Sequence, residues 1–272
     1  MPMTDYTYVK TEKIGHIFRM ILNRPERLNA QGAQISWDRR RAWHEAMSDP
    51  DVRVVVLSGE GRIFCAGRDI REQAGGAPEI VGADEPVADL GFYSVPETDI
   101  PLITAVQGGA WGLGFYMVCA SDICVAAEGA RFAMSEIPTG IIGPALFPIL
   151  NNLPWLPGSE IVIRGHQFDA QRAYELGLAN HVVPADQLES TAMDLAEEIA
   201  GLPPVHVRVT KQQLMMARPR PNTYQTAISF PQAMAGLRQL DDTMEAAPAI
   251  AERRTPGLHV RERGGPRGRR YT

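Results

Sequence analysis

Two short stretches of this chain could do chemistry together: FCAGRDI over 64–70 and GGAWGLGFYMVCASDI over 108–123. Each places a glycine-containing turn directly before an amphipathic or apolar run. That arrangement leaves backbone N–H groups without helical partners and turned towards a ligand. Two such donors converging on one oxygen form an oxyanion hole, which stabilises negative charge as it develops on a carbonyl. Glu136 follows in ARFAMSEIPTG, set among Met134, Ser135, Ile137 and Pro138. An acid there is either a surface residue of a turn or helix or a partly desolvated base. Desolvation would raise its pKa towards the working range, which suits moving a proton on and off carbon. The trio therefore points to chemistry at a carbonyl and its adjacent carbon.

The elements that must position these residues read as α/β. IGHIFRMIL from Ile14 reads as a strand, NRPERLNA as a proline-containing turn, and Gln34 to Met47 as a helix ended by SDPDVR. VVVLSGEG is a β-branched run closed by glycines, the pattern of a buried parallel strand opening into the FCAGRDI loop. Residues 74–98 mix Gly, Pro and acids without a period and read as a mobile surface segment, of a length that often covers a site. PLITAVQG reads as the next strand, WGLGFYMVCA as a helix entered through glycines, and DICVAAEGARFAMSE as short strands. After Pro157, helical spacing is expected over 159–176, 186–200, 204–217 and 222–252, broken by HVVP, GLPP and RPRPN.

Composition narrows the class. With 44% hydrophobic and 22% charged residues, the 272-residue chain is an ordinary globular one, not a disordered or coiled-coil one. Its richest apolar stretch, IIGPALFPIL, is broken by Pro144 and Pro148 and falls short of the roughly 20 residues of a membrane span. The opening MPMTDYTYVK has no apolar signal-peptide region, so a cytoplasmic location without membrane attachment is expected. Cys65, Cys119 and Cys124 form no CxxC pair and read as reduced, buried thiols. A net charge of −5 gives no general affinity for nucleic acid, and the arginine-rich end reads as a solvated tail. The six histidines show no HxxxH or HxH spacing, so no metal is expected.

The order of motifs resembles the crotonase superfamily, the enoyl-CoA hydratase and isomerase enzymes, from about Ile14 to Pro256. ILNRPERLNA resembles its N-terminal strand and turn, VVVLSGEGRIFCAGRDI its first oxyanion segment and IPLITAVQGGAWGLG its second. SDICVAAEGARFAMSEIPTGI, GHQFDAQRAYELGLANHVVPADQL and VTKQQL continue the likeness. The resemblance implies a spiral of ββα units over 1–200, a helical trimerisation region over 201–256 and a basic tail over 257–272. It also implies a homotrimer or dimer of trimers that binds an acyl-CoA thioester, coenzyme A entering as part of the substrate and no separate cofactor being needed.

Carried over by position, the resemblance makes the backbone N–H groups of Arg68 and Leu113 the oxyanion donors. From the residues alone, Arg68 also reads as a surface arginine. Leucine stands where the family commonly has glycine. Arg27, Ala66, Asp69, Gly112 and Pro144 would lie against substrate or coenzyme A. Cys65 reads as a small filler, having no histidine nearby in sequence to activate it. Family hydratases carry two glutamates. Glu136 matches one, and Tyr116 stands at the other, where a phenol of pKa near 10 cannot act as a base at neutral pH. Tyr116 either donates a hydrogen bond or packs against the acyl group. A one-glutamate site resembles the family's isomerases and its hydratase-lyases, with Tyr93 and Tyr224 as further tyrosines. Rival readings are a crotonase-type hydrolase of a thioester or β-diketone, and a CoA-thioester binder whose catalysis has decayed. A dinucleotide-binding oxidoreductase ranks lower, since GGAWGLG does not reproduce GxGxxG with its downstream acid.

Overall fold

The computed structural model describes residues 6–74, 95, 98–140, 153–217, 245, 248, 249, 252 and 254. The chain begins with a hairpin, β1 (Val9–Ile14) and β2 (Ile17–Leu22), followed by α1 (Ala33–Ser48) and β3 (Val54–Gly59). A loop then leads into the short α2 (Ile70–Ala74). Next come β4 (Leu102–Val106), β5 (Gly109–Trp111), α3 (Leu113–Ala120), β6 (Ile123–Ala127) and β7 (Arg131–Ala133). After Leu153 the order is α4 (Trp155–Arg164), β8 (Phe168–Asp169), α5 (Ala170–Glu175), β9 (His181–Val183), α6 (Leu188–Gly201) and α7 (Pro204–Ala217).

The large sheet runs β1-β2-β3-β4-β6-β9, parallel except for the opening hairpin. β3 and β4 are buried along almost their whole length because both faces are covered, which is why they read as continuous apolar runs rather than alternating ones. One face packs Ile17, Val54, Val56, Ile103 and Val125 against Leu188, Ala192 and Ala196 of α6. The other packs Phe18, Met20, Leu22, Val55, Leu57 and Leu102 against α1 and α3, with Trp43 and Phe115 at the centre.

A second layer gives the fold its spiral. After β2, β3, β4 and β6 the chain adds a short piece to a smaller array before it turns into a helix or, after β7, a 3-10 turn. Gln31 bridges Arg68, Cys65 bridges Ala110, and β5 pairs in parallel with β7. β8 closes this array antiparallel to β7. The pieces that should hold the site are thus successive rungs of one seam.

Several expectations are corrected by this architecture. The strand beginning at Ile14 is two strands: Gly15, at φ +58°, makes a hairpin turn, and Val9–Ile14 form a strand not expected from the sequence. WGLGFYMVCA is not helical from its first residue, since Gly109–Trp111 form β5 and the helix opens at Leu113. The helical stretch expected over 159–176 is broken, because Gly165 ends α4 in the left-handed conformation at φ +62°. Asp169 then starts α5 afresh, its carboxylate accepting from the Arg172 amide at 2.8 Å. The expected helices over 186–200 and 204–217 correspond to α6 and α7. Pro144, Tyr93, Tyr224, nearly all of the 74–98 segment, most of 222–252 and the basic tail lie outside the described residues.

Candidate active site

The first turn is clasped by the NRPERLNA segment. Pro25–Arg27 form a 3-10 turn, after which Leu28 and Asn29 take left-handed φ of 55° and 53°. Asparagine tolerates that conformation, and its side chain explains the choice. The Asn29 amide nitrogen donates to three main-chain carbonyls, Glu60 (2.9 Å), Ile63 (3.0 Å) and Phe64 (3.1 Å), while its oxygen accepts from the Arg24 amide at 2.8 Å. Ala66 donates its N–H to the Leu28 carbonyl at 3.0 Å. Gln31 donates its N–H to Gly67 O at 2.7 Å and accepts from the Asp69 amide at 3.1 Å. In this parallel pairing the bonds fall on the neighbours of Arg68, so the Arg68 peptide N–H points away from Gln31.

The second turn meets the first directly. Cys65 N donates to Gly109 O (3.1 Å) and Trp111 N donates to Cys65 O (3.0 Å). Gly67, at φ +94°, has no room for a side chain: a Cβ there would lie 2.8 Å from Trp111 O and 3.5 Å from Gly112 Cα. Gly112 is left-handed too, at φ +50°. Two glycines in conformations that L side chains rarely adopt thus face each other, and each immediately precedes one of the expected donors, Arg68 and Leu113. Leu113 is the first residue of α3, so its N–H is among those with no acceptor within the helix. Gly114 lets α3 approach closely, since a Cβ on it would sit 2.5 Å from Cys65 O.

Glu136 is delivered from the far side by β7 and the 3-10 turn Ile137–Thr139. A Cβ added to Gly112 would lie 3.2 Å from both Glu136 Oε1 and Ser135 Oγ, so this carboxylate and hydroxyl lie against the second turn. Burial lifts the Glu136 carboxyl from 4.5 for an ordinary glutamate to about 7, against the opposing pull of its own backbone N–H and of the Arg68 charge. Near neutral pH both its acid and its base forms are populated. Tyr116 is buried one turn into α3.

Other expected site residues have different surroundings. Asp69 has a nearly inaccessible carboxylate engaged by Arg27 Nη2 (2.9 and 3.1 Å) and Arg24 Nη1 (3.1 Å), instead of facing an open pocket. Arg27 remains about one-third exposed. Cys65 is fully buried, and burial pushes its thiol up to about 11, so it stays protonated. Among the described residues, no cluster of three or more His, Cys, Asp or Glu could hold a metal ion. The sequence reading passed over Asn29, Gln31 and Ser135. A polar residue between apolar neighbours in a tight turn is the signal that could have flagged Asn29.

The arrangement can hold a carbonyl oxygen against two adjoining turns and set an ionisable carboxyl beside it. Comparison with known proteins identifies the family. The sequence model of the enoyl-CoA hydratase/isomerase family matches residues 12–259, and the chain belongs to that family. Its similarity to (E)-benzylidenesuccinyl-CoA hydratase of Thauera aromatica is 30% identity, covering 92% of this chain and 98% of the relative. Mevalonyl-coenzyme A hydratase of Aspergillus fumigatus is 34% identical over 73% of this chain and 74% of its own length. Among solved structures, a carnitinyl-CoA hydratase from Mycobacterium avium superposes with a TM-score of 0.83 at 30% identity, covering 93% of this chain and 99% of that one. The fold is the crotonase fold, and the protein is an acyl-CoA enzyme of that type.

Proposed function

We propose that the protein catalyses reversible addition and elimination of water across the Cα–Cβ bond of an acyl-CoA thioester, with Glu136 as the single acid/base. The amides of Arg68 and Leu113 hold the thioester oxygen, which lowers the barrier to forming an enolate. In the elimination direction the Glu136 carboxylate takes the α-proton, and the electron pair of the C–H bond moves into the enolate. The protonated carboxyl then gives its proton to the β-hydroxyl as the C–O bond breaks, releasing water and the enoyl thioester. Hydration reverses these steps. One group can play both parts because a pKa of about 7 suits it to accept and to donate.

The observation that carries this reading is the placement of the Glu136 carboxylate against Gly112, the residue just before α3 opens. The hydratase names of the relatives support water as the co-reactant. Coenzyme A belongs to the substrate, no separate cofactor is called on, and Arg27 is the cation offered to its phosphates. The working unit is a homotrimer or dimer of trimers. Exposed apolar side chains on α4 and α7, including Leu156 and Met216, support association. Three free, buried cysteines fit a reducing cytoplasm. Among the described residues no helix is long and apolar enough to cross a membrane.

The test is a panel of enoyl-, 3-hydroxyacyl-, β-keto- and aromatic acyl-CoA thioesters followed by mass spectrometry. Gain or loss of one water on at least one thioester is expected. Products of unchanged mass with solvent deuterium at carbon would assign a double-bond shift instead. Cleavage fragments would assign a hydratase-lyase, free acids a hydrolase, and tight binding without any product a non-catalytic binder.

A further inference from the structure

Asp69 stands next to Arg68, and its carboxylate is 3% exposed. Few carboxylates are so completely enclosed by donors. Oδ1 accepts from the Arg71 and Glu72 amides, both at 3.2 Å, and from Arg27 Nη2 at 2.9 Å. Oδ2 takes Arg27 Nη2 at 3.1 Å and Arg24 Nη1 at 3.1 Å. Burial pushes the carboxyl up, but the Glu72 amide together with Arg27 and Arg24 outweighs it and holds the group below the ordinary range. Glu72 extends the cluster: it lies 3.6 Å from Arg24 Nη1, and its Oε1 accepts from Ala33 N at 3.2 Å at the start of α1. Glu26 lies 4.0 Å from Arg24 Nε, so two guanidiniums meet three carboxylates, and the cluster ties three chain segments together: the NRPERLNA turn, the start of α1 and the start of α2.

We infer that Asp69 is a positioning residue, which fixes the Arg68 peptide so that its N–H is aimed at the thioester oxygen. This rests on the proposed function. The Arg68 peptide is pinned on one side by Gln31 N to Gly67 O and on the other by Asp69 N to Gln31 O. Gln31 is itself held, donating from Nε2 to Asn29 O at 3.0 Å and accepting at Oε1 from the buried Arg39 Nε at 3.2 Å. Those backbone bonds set the height of the rung. The Asp69 side chain sets its rotation, because it is the only part of residue 69 that reaches the charges of the NRPERLNA turn. Without the negative charge, Arg24 would keep Glu72 and the more distant Glu26 as its nearby carboxylates, Arg27 would lose its bidentate partner, and the cap on the Arg71 and Glu72 amides at the start of α2 would weaken. A shift of about 1 Å in an aligned donor is enough to slow a reaction by about a hundredfold.

The experiment uses acetyl-CoA carrying carbon-13 at the thioester carbonyl. Difference infrared spectroscopy reads the C=O stretch on binding, and proton exchange at the methyl carbon in heavy water reads enolate formation. Wild-type protein is expected to lower the stretch. Asp69→Asn is expected to lose most of that lowering and to slow exchange by about ten- to a hundredfold, with affinity for acetyl-CoA little changed. Arg24→Gln leaves Asp69 in place and is expected to show a smaller loss of the same kind, which serves as the test if Asp69→Asn does not fold. A lowered stretch that survives both substitutions would overturn the inference and leave the proposed function standing. Loss of acetyl-CoA binding with an unperturbed stretch at saturation would overturn it by making Asp69 a binding residue. No lowering in the wild type would refute the proposed grip on the oxygen itself.

Discussion

Replacing Glu136 by glutamine tests the mechanism and the burial argument in one protein. The folded-state pKa of about 7 lies above the ordinary glutamate value of 4.5, so the folded protein binds this proton more tightly than the unfolded chain. Stability derived from the protonated form is fully present below 4.5 and is lost as pH rises through about 7. The displacement corresponds to about 3 kcal/mol at full span, of which about 2 to 3 kcal/mol falls between about pH 5 and about pH 8.5. Glu136→Gln does not titrate, so its melting temperature relative to wild type should climb across that window. The climb is on the order of 5–10 °C for a chain of this size. In parallel, wild-type kcat/KM should rise with unit slope below about pH 7 and level off above it, because the base form does the work. The substitution should lower kcat by about 10²–10⁴-fold. Differential scanning fluorimetry at the two pH values and a stopped assay of water addition supply both readouts. A pH-independent difference in melting temperature, with kcat/KM flat across neutrality, would refute the placement of Glu136 as a desolvated base.

Three further outcomes are expected. Gly112→Ala sets a methyl group 3.2 Å from both Glu136 Oε1 and Ser135 Oγ on a residue at φ +50°, so kcat should fall far more than thermal stability, as paired kinetics and melting curves will read. Arg68→Met keeps the backbone amide but removes the charge that opposes the burial of Glu136, so the midpoint of the pH–rate profile should move to higher pH. Asn29→Ala strips three main-chain carbonyls of their shared donor and should destabilise the fold by about 2–4 kcal/mol in urea denaturation.

Much of this architecture was legible because its signals are local. The apolar run before FCAGRDI marks a doubly covered strand, and glycine before an apolar run marks the opening of α3. Glu136 stood out by its match to one of the family's glutamates, because its neighbours alone left a surface acid as open as a desolvated base. The opening hairpin escaped notice because Val9–Ile14 carries Lys10, Glu12 and Lys13 on an edge strand, where exposure erases the apolar pattern. β5 and β8 were invisible for another reason. At three and two residues they are too short to show a period, and only pairing across the spiral makes them strands. The Arg24 and Arg27 partners of Asp69 were equally hidden, since they lie about forty positions earlier in the chain. An aspartate beside a ligand-facing loop looks the same on paper whether it touches substrate or steadies the scaffold.

The Cys65–Ala110 bridge joins the two turns directly, whereas Glu136 arrives on a later piece of chain. Under the proposed mechanism, holding the electrophile and carrying the hydrogen thus fall to different stretches of the chain. On that mechanism, substitutions downstream of Ala133 would change the proton carrier while leaving the pairing of Cys65 with Ala110 in place.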